Sequence, residues 1–65
     1  MLNKGDVVNI YQRPLTSEDF EGKARLTKLI RRWKTDDLER WYVEFEDEPG
    51  NTYQRNVCTN PHKYP

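Results

Sequence analysis

From Arg40 to Glu46 the chain alternates without a break: Trp41, Val43 and Phe45 on one phase, Tyr42, Glu44 and Glu46 on the other. A period of two marks a strand with one face in a core and one in water. Asp47-Glu48-Pro49-Gly50-Asn51 follows as a hairpin connection, with Pro49 presetting φ and Gly50 free to take φ > 0. Thr52 to Val57 completes that hairpin, with Tyr53 and Val57 inward and Arg55 between them at the rim. Near the start, the Lys4-Gly5-Asp6 turn precedes Val7-Val8-Asn9-Ile10-Tyr11, a β-branched and aromatic run whose Val8 and Ile10 share the core face. Gln12 to Phe20 has no clean period and reads as a long first loop.

The segment opened by Glu21-Gly22 and running to about Arg32 is less regular. Ala24 and Leu26 point inward and Lys23, Arg25 and Thr27 outward, but Lys28 then falls on the inward phase. A bulge or bend between Thr27 and Leu29 restores the register. Leu26, Leu29, Ile30 and Trp33 also fit helical spacing; the strands on both sides favour β structure. Lys34-Thr35-Asp36-Asp37 is a polar turn. The expectation is an all-β fold, a small barrel of four to five short antiparallel strands over residues 1–58, ending in an irregular, proline-containing tail over 59–65.

Sixty-five residues allow one domain with a small core, so a deep substrate pocket is not expected. The single cysteine, Cys58, excludes an internal disulfide, and with one histidine, His62, it supplies too few ligands for zinc. A lone thiol suits a reducing cytoplasm. No apolar run approaches the roughly 18 residues of a bilayer helix, and Lys4, Gly5 and Asp6 interrupt any signal-peptide pattern near Met1.

The charges cancel overall but not locally. Lys23, Arg25, Lys28, Arg31, Arg32 and Lys34 form a basic segment without an acid; from Thr35 to Gly50, Asp36, Asp37, Glu39, Glu44, Glu46, Asp47 and Glu48 oppose Arg40 alone. The simplest expectation is that two neighbouring strands pair these charges across their exposed faces.

Lys4-Gly5-Asp6-Val7-Val8 followed by Gly22-Lys23-Ala24-Arg25-Leu26 resembles the KOW pattern of glycine, aspartate and strand, then loop, then glycine and strand. Val43-Glu44-Phe45-Glu46-Asp47 before a glycine hairpin and Tyr53 is similar to Tudor-like barrels. The resemblance implies an SH3-like barrel, a fold shared by many short bacterial and phage proteins, and a role in binding. The loop from Gln12 to Glu21 is longer than a KOW motif has, and no aromatic cage is assembled.

Catalysis fails on inventory: Cys58 and His62 lack an orienting third group. Asp36-Asp37 and Glu46-Asp47-Glu48 read as solvated turns rather than a calcium loop. The glycines at 5, 22 and 50 are isolated, so no phosphate loop exists. No cofactor, metal or small-molecule substrate is expected. Two surface constellations remain. Tyr11, Phe20, Trp33 and Tyr42 suit a protein partner or a second copy of the chain, although each ring also suits a barrel end. Lys23, Arg25, Lys28, Arg31, Arg32, Trp33, Lys34 and Arg55 suit nucleic acid, the cations on phosphates and Trp33 on a base. The neutral total charge places the protein partner first and nucleic acid second.

Overall fold

Four strands form where apolar side chains recur at alternate positions, and each is closed by turn residues. The computed structural model describes residues 2–33 and 37–59. It contains β1 (Val7–Arg13), β2 (Glu18–Trp33), β3 (Leu38–Phe45) and β4 (Tyr53–Cys58). They make one antiparallel sheet in the order β1-β2-β3-β4, strongly curled into a half-barrel, with no helix among the described residues. The helical alternative is thereby excluded over residues 23–33, whose apolar spacing comes from a bent strand. No helix among the described residues is long and apolar enough to cross a membrane.

Ile10, Ala24, Leu26, Trp41, Val43, Phe45 and Val57 form the core, with Leu2 and Val8 packed against it. Burying each large apolar side chain contributes about 1.5–3 kcal/mol, so β3, which supplies three of the seven, anchors the sheet. The expected inward apolar set faces the core, Tyr53 included, which packs on Phe45 at 5.9 Å but stays 38% exposed. Tyr53 pairs with Val43 at the start of β4, where the sheet runs out, and its hydroxyl donates to Glu48 at 2.6 Å.

The first connection is much shorter than expected. Pro14 to Ser17 makes the turn, and Glu18 to Phe20 already belong to β2, pairing with Arg13 and Tyr11. Nothing in the sequence marks that extension, because its side chains face water on both sides of the ribbon. The ring of Tyr11 packs on that of Phe20 at 5.4 Å, and Arg13 reaches Glu18 and Asp19 at 3.6 and 3.7 Å. The last hairpin turns as expected. Asn51 N–H donates to the Glu48 carbonyl at 3.4 Å, and Gly50 takes φ +91° at the third turn position.

β2 is the element that shapes the molecule. Its first half pairs with β1 and its second half with β3, and its register slips three times: opposite Ile10 and Tyr11, between Leu26 and Lys28, and between Leu29 and Arg31. Such bulges bend a strand and raise its twist. Cys58, expected just past the last strand, is the final residue of β4 and half-buried.

Candidate nucleic-acid interface

Residues directly opposite one another in an antiparallel ladder share a face, so the register assigns every charge to the core side or the outer side. Leu26 faces Val43 on the core side. After the first slip, Lys28 faces Tyr42; after the second, Arg31 faces Arg40, and Trp33 faces Leu38. Because Tyr42 and Arg40 alternate with the buried Trp41 and Val43, Lys28 and Arg31 stand on the outer face. Arg25 stands there as well, opposite Glu44, and Lys23 opposite Asn9. The first bulge thus moves Lys28 from a core-facing phase to the surface that already carries Arg25, Arg40 and Tyr42, and the second returns Arg31 to that surface.

On this face the expected cross-strand pairing of the basic and acidic segments is limited to Arg25 standing opposite Glu44, without an ion-pair contact. Among the described residues, ion pairs join Arg13 to Glu18 and Asp19, Arg32 to Glu39, and Arg55 to Glu21. Lys23, Arg25, Lys28, Arg31 and Arg40 have none. Glu44, the only carboxylate on the outer face of β3, accepts the Gly50 N–H at 2.8 Å. Glu46, Asp47 and Glu48 sit in the hairpin beyond the end of β3.

The polar side chains of this face are linked. Arg40 Nε donates to Gln54 Oε1 at 3.2 Å, and Gln54 Nε2 donates to the Tyr42 hydroxyl at 3.3 Å. The Arg31 guanidinium lies over the Trp33 ring, 5.0 Å from its centroid, which holds both against the sheet. Thr27, the residue displaced at the first bulge, donates its hydroxyl to the Tyr42 carbonyl at 2.8 Å.

Two of the expected phosphate-binding cations do not belong to this surface. Arg32 lies on the core side opposite Glu39, with its Nε 2.6 Å from Glu39 Oε2. Arg55 lies opposite Trp41 and is held by both oxygens of Glu21, at 2.9 and 3.1 Å, with its guanidinium near the rings of Phe45 and Tyr53. Both are spoken for by half-buried or buried carboxylates. Lys34, His62, Asp36 and the expected tail from Asn60 onward lie outside the described residues. Arg40 and Gln54 were not foreseen; continuing the alternation of β3 one step back from Tyr42 places Arg40 on the outer face.

The expected protein-binding aromatics divide between two hairpins. Tyr11 and Phe20 stack on β1 and β2, whereas Trp33 and Tyr42 stand among the cations of β2 and β3. No group of three or more histidine, cysteine, aspartate or glutamate side chains suited to a metal ion occurs among the described residues. The chain matches no family model, no curated protein and no solved structure at a significant level.

Proposed function

We propose that this protein is a non-catalytic module that binds single-stranded nucleic acid on the outer face of β2 and β3. One observation carries the reading: Arg31 and Arg40 stand directly opposite each other, flanked by Lys28 and Arg25, and among the described residues none of the four has an ion pair. Like charges facing across a ladder destabilise a sheet. A surface with only a structural role gains nothing from that arrangement, whereas a polyanion repays it. Trp33 and Tyr42 among the cations supply flat faces for bases, and stacking of this kind is tolerant of sequence. The resemblance to KOW and related SH3-like barrels, families of nucleic-acid and partner-binding modules, supports the same reading. A protein partner or a second copy remains the competing expectation. Its four aromatics are separated by charges rather than gathered into the continuous apolar patch that such an interface uses.

The test is a titration of a labelled oligonucleotide at several salt concentrations. Contacts to about four or five phosphates give a slope of log K against log salt of roughly −3 for a single strand. Replacing Lys28, Arg31 and Arg40 together by glutamine should flatten that slope by about 2. Absence of salt-sensitive binding at about 50 mM salt, where phosphate contacts are strong, rejects the proposal.

A further inference from the structure

The outer face does not stop at the β2–β3 hairpin. Going back along β2 from Trp33, the outward positions are Arg31, Lys28, Arg25 and Lys23, and then, past the slip opposite Ile10 and Tyr11, Phe20. Successive cations are two or three residues apart, which at ~3.3 Å per residue places them roughly 7–10 Å from one another. Phe20 is 59% exposed, the most exposed of the large apolar side chains among the described residues, and its ring rests on Tyr11. The cross-strand contact with Tyr11 supports the hairpin, but it leaves most of the Phe20 ring in water, where an exposed phenyl costs free energy.

We infer that β2 is a single track for a nucleic-acid strand, with a base platform at each end: Trp33 at one and the Tyr11–Phe20 pair at the other. The inference rests on the nucleic-acid reading above and adds a second stacking site and a length to it. The cations between the platforms hold the sugar-phosphate backbone while bases at the two ends stack. The molecule measures 31 Å in its longest dimension, and a track of that order accommodates roughly 4–8 nucleotides, within the range of small single-strand binders. The bend that the bulges give β2 makes the bound strand curve around the half-barrel, which a flexible single strand tolerates and a stiff duplex does not.

The experiment compares oligothymidylates of about 3 and about 8 nucleotides, spanning the short and full track, by fluorescence anisotropy with the unaltered protein, Phe20→Ala, Phe20→Tyr and Trp33→Ala. Phe20→Ala should weaken the longer oligomer about 5- to 150-fold, the loss of one stacked base, and leave the shorter one unchanged. Phe20→Tyr, which keeps a ring, should restore the binding. Trp33→Ala should weaken both. Because Phe20 is largely exposed, its replacement leaves the fold intact, and thermal melting of the variant confirms this. If Phe20→Ala affects neither oligomer while salt-sensitive binding persists, the second platform is rejected and the β2–β3 interface stands. If the unaltered protein binds neither oligomer, the nucleic-acid reading and the track fall together.

Discussion

Glu39 is the charged side chain that the core admits, 2% exposed. One oxygen accepts from Arg32 Nε at 2.6 Å and the other from the Trp41 indole N–H at 3.0 Å. Both acceptors are thus used, which is the condition for a carboxylate to be tolerated at that depth. Glu39→Ala leaves an indole N–H and a guanidinium without partners and should cost about 2–4 kcal/mol in urea unfolding. Glu39→Gln keeps an acceptor for the indole and should cost less; equal costs would mean that the indole bond contributes nothing. This site was open to reading in the sequence, since two steps back from Trp41 along the alternation reach Glu39. What hid it was its charge, and the partner across the ladder, Arg32, is fixed only by the bulges. At Tyr53 the phenol donates to Glu48, and that bond, with the carboxylate's charge, holds its pKa above the ordinary tyrosine value despite the opposing pull of Arg55. A raised acid pKa means that the contact stabilises the fold in full at neutral pH and is lost as pH rises past the ordinary tyrosine range. Ultraviolet titration should find the Tyr53 phenol ionising late, and Glu48→Gln should remove the delay.

Among elements, β3 was legible and β2 only in part, for a physical reason. β3 is central in its sheet and covered on one face throughout, so its alternation is uninterrupted. β2 extends beyond the core at both ends: Glu18 to Phe20 and Leu29 to Arg32 carry side chains exposed on both faces, where alternation has no reason to persist. The bulge expected between Thr27 and Leu29 is present, and the hydroxyl of Thr27 secures it by its bond to the Tyr42 carbonyl. Thr27→Val keeps the shape and loses that bond, and should lower stability by about 1 kcal/mol in denaturant unfolding. A loss of binding larger than the loss of stability would show that the bulge also aims Lys28. The β3–β4 turn makes a separate case. Gly50 has φ +91° with open space around its missing Cβ, so Gly50→Ala meets no clash and its cost, about 1 kcal/mol, is backbone strain alone.

For the molecule as a whole, the sequence conveyed the fold class better than the surface. Net charge sums over every residue and so returns zero, whereas the register sorts the described residues by face and gathers Lys23, Arg25, Lys28, Arg31 and Arg40, with no ion pair among the described residues, on one side of the sheet. Arg32 and Arg55 could not be removed from that set by composition, because their carboxylate partners are seven and thirty-four residues away. Pairing strictly between consecutive strands has one more consequence, for the order in which the protein comes into being. Each strand can dock on the one synthesised just before it, so β2 has a partner in β1 before β3 has left the ribosome, and no strand has to wait for a ladder partner that is not its neighbour in the chain. The main phase of refolding from urea should accordingly be a single exponential complete in roughly 1–100 ms, and a main phase slower than that, measured by tryptophan fluorescence after a brief unfolding pulse that leaves the prolines in their native isomers, would show that assembly does not follow the order of synthesis.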